Sequence, residues 1–188
     1  MTSTRTKLQA LAAVLFEDDA ARFAPLMDQL LDDPEGFVRD GHANTYGLTS
    51  DEFDANPPPS LLPAVSLFME FACAEGYSQS EPDADGFELW VAARAHALGR
   101  GNMDLDFVDD WVEAHTGEPN FLSDYFELLG SHLAPLGLDL IFLDLGDDSD
   151  RPFVIRGSDL PRLPSLDAAD EAALGGRFRL DRWDGSSV

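Results

Sequence analysis

Five carboxylates fall within ten residues, Asp104, Asp106, Asp109, Asp110 and Glu113, and the last four recur at the steps of three and four that share one helical surface. Carboxylates so clustered can ligate a hard cation through oxygen or attract a basic protein. The metal reading lacks its usual frame, because there is no oxygen-ligand loop pattern and no Glu-x-x-His pairing with a matching second helix. Trp111, in the midst of these acids, fits either the core or an anchor of an interface.

Other chemistries find less support. Asp144-Leu-Gly-Asp-Asp-Ser-Asp150 is rich in carboxylates, but it lacks the ligand alternation, the sixth-place glycine and the closing glutamate of a calcium loop, and it reads as a hairpin turn. His42, His96, His115 and His132 are scattered without HxxxH or HxH spacing. No GxSxG elbow, GxGxxG fingerprint or P-loop occurs. The single cysteine, Cys73, sits in the apolar run from Leu67 to Ala74, where a thiolate is disfavoured and low reactivity is expected. These residues give no cofactor, no metal site and no catalytic set, and the reading leans away from an enzyme.

The charge is regional. Residues 40–150 carry 23 Asp and Glu against two cations, Arg94 and Arg100, whereas the 39 residues before them balance 7 acids with 4 bases and the 38 after them balance 6 with 6. A net charge of -24 argues against direct nucleic-acid binding, since phosphate contacts need cationic side chains. A G+C-rich genome, which favours Arg over Lys, or a high-salt habitat would also raise the acid content, but neither predicts near-neutral flanks.

A chain of 188 residues suits one domain, and 44% hydrophobic content supplies its core. The lone cysteine fits a reducing compartment, and no apolar stretch reaches the roughly 20 residues that span a bilayer, so a cytoplasmic protein without a membrane or signal segment is expected. Leu8, Leu11, Ala12 and Leu15, then Phe23, Leu26, Met27, Leu30 and Leu31, predict two amphipathic helices, with Pro34-Glu-Gly36 stopping the second and a loop over Phe37 to Gly47. Thr49 and Glu52 have capping-box spacing for a short helix ahead of Pro57-Pro58-Pro59. Leu61 to Ala74, apolar nearly all round, predicts a central helix. Further helices are expected over Phe87 to Leu98, with Leu89, Trp90, Ala93 and Ala97 on one side, around Leu105 to Val112, and over Phe121 to Leu136.

The period then changes. Leu138 to Leu145 and Arg151 to Arg156 predict an antiparallel hairpin over about 138–156, and Arg177 to Trp183 a third, edge strand with its cations outward. Leu160 to Pro164 reads as an extended connector, Asp167 to Leu174 as a short helix ended by Gly175-Gly176, and the last four residues as frayed. The fold class is α+β: a predominantly helical part over about 4–136 followed by a small C-terminal antiparallel sheet over about 138–183.

The run from Leu138 to Gly157, with its Leu-Asp-Leu-Gly-Asp-Asp-Ser-Asp centre, resembles a segment of small uncharacterised bacterial domains of unknown function. In style the chain is also similar to the immunity proteins of bacterial polymorphic toxin systems, which tend to be compact, acidic and without catalytic residues. That resemblance implies a toxin-neutralising role and carries over no functional residue. Three readings follow. The first is an acidic, non-catalytic protein-binding module that meets a basic protein, a toxin in the concrete case, through Asp104, Asp106, Asp109, Asp110 and Glu113; a mimic of nucleic-acid charge is its narrower form. The second is a carboxylate- or metal-dependent hydrolase using Asp104, Asp106, Asp109 and Asp110. The third is an acidic structural domain whose charge reflects a G+C-rich or high-salt host.

Overall fold

The computed structural model describes residues 2–16, 19–48, 60–75, 84–101, 103, 105–146, 151–186 and 188. Its elements run α1 (Thr4–Leu15), α2 (Ala20–Asp32), α3 (Pro34–Arg39), α4 (His42–Thr45), α5 (Leu62–Glu75), α6 (Ala84–Ala97), α7 (Asp106–His115), α8 (Phe121–Leu133), a 3₁₀ turn (Ala134–Leu136), β1 (Leu138–Asp144), β2 (Pro152–Arg156), a 3₁₀ segment (Gly157–Arg162), α9 (Ala168–Leu174) and β3 (Arg179–Arg182). This is the mostly helical α+β arrangement with a small antiparallel sheet that the apolar periods predict. The capping motif at Thr49, the triple proline, the centre of the hairpin turn and the Cys73 side chain lie outside the described residues.

Two compact units emerge from the packing. The first takes residues 1–76, 145–147 and 162–179. Its core is phenylalanine: Phe16 lies 5.6 Å from Phe23 and 4.7 Å from Phe68, Phe23 lies 5.4 Å from Phe71, and Phe178 meets Phe68 at 5.5 Å. Tilted and edge-on rings at these separations suit the aromatic quadrupole. Around them Leu8, Leu11, Leu15, Met27 and Leu30 are fully buried, as the helical spacing of α1 and α2 predicts. α9 is closed by a capping box, with Asp167 accepting from the Asp170 N–H and Asp170 accepting from the Asp167 N–H.

The second unit takes residues 77–144, 148–161 and 180–188. Phe87, Val91 and Ala95 of α6 and Leu98 just after it pack with Val108 of α7, Tyr125, Leu129 and Leu133 of α8, and Leu138, Leu140 and Val154 of the sheet. The strand order is β2-β1-β3. β1 and β2 pair antiparallel from Leu138 opposite Arg156 to Phe142 opposite Pro152, so β3 is an edge strand as expected. α8 gives way to a 3₁₀ turn at Pro135, which lacks the N–H needed to continue the helical ladder.

Several local expectations are corrected. Pro34 starts a helix instead of stopping one: it occupies the first turn of α3 while the Asp33 carboxylate accepts from the Gly36 N–H at 3.0 Å, a cap-plus-proline start. The supposed loop over 37–47 is therefore mostly α3 and α4. α5 is not buried all round; Ala64, Leu67, Phe68, Phe71 and Ala72 form its inner side, and Leu62 is exposed. α6 turns Phe87, Val91, Ala95 and Leu98 inward and leaves Ala93 and Ala97 exposed. Trp90, on the flank of that face, is half-buried against the same cluster. Residues 157–162 form 3₁₀ helix in place of an extended connector, since the fixed φ of Pro161 suits that geometry. The chain end is bonded and not frayed: Val188 N donates to Leu180 O at 3.1 Å.

Candidate functional site

α7 separates its residues cleanly. At about 100° per residue, Asp106, Asp109, Asp110 and Glu113 lie within about 100° of arc, and all four are exposed. Val108 is buried on the opposite side and Trp111 and Val112 are half-buried beside it. The sequence places these four acids on one surface and the fold keeps them there; Asp104 lies outside the described residues.

Trp111 serves the core of its own unit. Its ring stacks on Tyr125 at 5.8 Å, contacts Phe121 at 5.5 Å and lies parallel to His115 at 4.3 Å. At the other end of the helix pair Phe107 stacks on His132 at 3.9 Å and 13°. Each imidazole is held by its Nδ1, that of His115 2.8 Å from Trp111 O and that of His132 2.9 Å from Leu128 O. A carbonyl can only accept, so Nδ1 is the donor in both. The Phe107–His132 and Trp111–Tyr125 stacks thus join α7 to α8, and the Trp111–His115 stack braces α7 itself. The sequence signal for one of them was Trp111 and His115 four residues apart; the Phe107–His132 pair joins two elements and has no local signature.

The helix dipoles account for part of the charge pattern. Asp106 and Asp109 lie in the first turn of α7 and Asp124 in that of α8, where carboxylates are favoured, and His115 and His132 lie in the last turns. Asp110 and Glu113 gain no such help. The pairs Asp106–Asp110 and Asp109–Glu113 are like charges four apart, each unfavourable by roughly 0.2–0.5 kcal/mol. With Glu118, Asp124 and Glu127 also exposed, the α7–α8 hairpin presents acids without a single Lys or Arg between residues 106 and 133. The Asp110 and Glu113 carboxylates are therefore the two that neither helix terminus favours.

Ten of the 12 cations lie in the flanks, and several are paired there. Arg5 binds Asp28 and Asp32 at 2.5 and 2.7 Å, Arg22 binds Asp19, Arg39 lies 3.8 Å from both Asp33 and Asp40, and Arg179 binds Glu171 at 2.7 Å. The two buried acids of the described residues each take a cation distant in sequence. Asp139 on β1 accepts from Arg182 at 2.9 Å, so Arg182 turns inward where an outward cation was expected, and Asp170 accepts from Lys7, the only lysine, at 2.5 Å. These flanking cations are thus engaged with acids, whereas the helix that carries the acidic stripe holds no Lys or Arg of its own.

Among the described residues no three His, Cys, Asp or Glu side chains stand together in a way that could hold a metal ion, and no helix is long and apolar enough to cross a membrane. The chain matches the model of a domain of unknown function, DUF6630, over residues 7–180, and it belongs to that family. Neither a curated protein nor a solved structure matches it.

Proposed function

We propose that this protein is a non-catalytic binding module that captures a basic protein through the acidic surface of α7 and α8, acting as an inhibitor or immunity protein for that partner. The observation that carries the reading is the exposed row of Asp106, Asp109, Asp110 and Glu113, two pairs of which repel each other along the helix. Exposed charges of one sign act at long range. Opposed potentials raise association rates by roughly 10 to 1,000-fold, and occlusion of a cationic active site would then complete inhibition.

The test is kinetic. A partner captured from the native host is purified, and its association with wild type and with the Asp106→Asn, Asp109→Asn, Asp110→Asn, Glu113→Gln variant is followed at two salt concentrations. The variant should keep the wild-type melting temperature or slightly exceed it. Its association rate should fall about tenfold or more at low salt, and the difference should shrink as the screening length contracts from about 30 Å at 0.01 M to about 10 Å at 0.1 M. Equal rates with equal salt dependence would leave this surface a solvated one.

A further inference from the structure

His132 is exposed, yet its ring is fixed. One face lies flat on Phe107 at 3.9 Å and 13°, and Nδ1 donates to Leu128 O at 2.9 Å, so the imidazole plane has two independent restraints. With Phe107 covering one face, the exposure belongs to the other face and the ring edge. Asp110 stands one turn beyond Phe107 on α7, about 60° away around the helix. Helical side chains lean back towards the N-terminus, which brings the Asp110 carboxylate level with the Phe107–His132 stack. Asp110 is exposed and pairs with no cation among the described residues. The α7–α8 hairpin holds no Lys or Arg that could lie on the imidazole, and the Arg100 guanidinium packs over the Gly137 turn.

We propose that the Phe107–His132 stack is a platform for an arginine side chain of the basic partner, whose guanidinium lies flat on the outer face of His132 and turns its N–H fork to Asp110. This rests on the acidic-surface reading and adds to it a preference between cations. A row of carboxylates attracts arginine and lysine alike. A ring face separates them: the guanidinium is planar, weakly hydrated and able to stack while its edge still donates to a carboxylate, whereas the ammonium of lysine is a compact and strongly hydrated point charge. The platform also costs little to order on binding, because the imidazole is already held by Phe107 and by Leu128 O.

Two short peptides of equal length and charge test this by titration calorimetry at low ionic strength and about pH 8, where a free imidazole is neutral. One alternates arginine with glycine, the other lysine with glycine. Wild type should bind the arginine peptide about threefold or more tightly, and His132→Gln should bring the two affinities level. Proton NMR of the wild-type complex gives a reading that needs no variant: the arginine δ-methylene protons should move upfield, as protons held over a ring do. Equal affinities for wild type, both weakened in the quadruple carboxylate variant, overturn the platform and leave the acidic surface standing. An arginine preference that survives in His132→Gln with a native circular dichroism spectrum also overturns it. Should that variant not fold, arginine protons that stay unshifted in the wild-type complex overturn it. If neither peptide binds wild type, the platform falls together with the acidic-surface reading.

Discussion

Replacing Gly130 with alanine will destabilise the protein by about 3 kcal/mol, although alanine is the better helix former by about 1 kcal/mol. Gly130 lies inside α8 and is buried, and its backbone is not in the left-handed region. Flexibility is therefore not what it supplies. The Trp183 indole rests on the helix at this point, and a Cβ would fall well inside contact distance of Cγ, Cδ1 and Cδ2. Those atoms are the root of the ring, close to a backbone fixed by the Trp183 N to Leu140 O bond, so the clash cannot be relieved by a small swing of the side chain. Urea denaturation should show a lower midpoint with an unchanged slope. In a Trp183→Leu background the sign should reverse: with the ring gone, alanine at 130 should be neutral or stabilise by up to about 1 kcal/mol through helix propensity. A Gly130→Ala cost of equal size in both backgrounds would show that something other than Trp183 limits the site.

How far such features can be read from the chain depends on the range of the interaction. The helices α1, α2, α7 and α8 and the hairpin were legible because apolar residues repeat at the period of their own element, and α9 because Asp167, Asp170 and Gly175 mark its ends locally. The acidic stripe was legible for the same reason, its spacing being a property of one helix. The start of α3 is marked locally by Asp33 and Pro34, since a proline opens a helix where a capping side chain precedes it and closes one where none does. The rotation of α6 needed knowledge of what it packs against. Asp139–Arg182, Asp170–Lys7, Gly130–Trp183 and Phe107–His132 each join residues from different elements, 25 or more positions apart, and one sequence cannot say which of its 36 acids is buried.

Asp170 shows what that burial does to stability. Taking its carboxyl out of water pushes its pKa up, but the Lys7 ammonium at 2.5 Å, the Thr4 hydroxyl at 2.7 Å and the Asp167 N–H at 2.9 Å together outweigh desolvation and hold it at about 2, against an ordinary 3.8. The folded pKa is depressed, so the unfolded chain takes up the proton more readily. The resulting stabilisation is fully present above about pH 4 and disappears as the pH falls from about 4 to about 2. At 1.36 kcal/mol per unit it amounts to about 2 kcal/mol, and the near-complete burial of this side chain leaves little solvent to screen it. Lys7→Met removes the ammonium and keeps most of the stem, leaving desolvation opposed only by neutral donors. At pH 7 the variant should be less stable than wild type by about 2 kcal/mol. Denaturation at a series of pH values should show that gap narrowing below pH 4 and nearly closing around pH 2, because a protonated Asp170 no longer distinguishes lysine from methionine. Carboxylates without a contact to Lys7 are the same in both proteins and cancel in the difference. A gap that stays constant from pH 7 to pH 2.5 would mean that Lys7 acts through the packing of its methylenes and that its charge contributes nothing to the joint between α1 and α9.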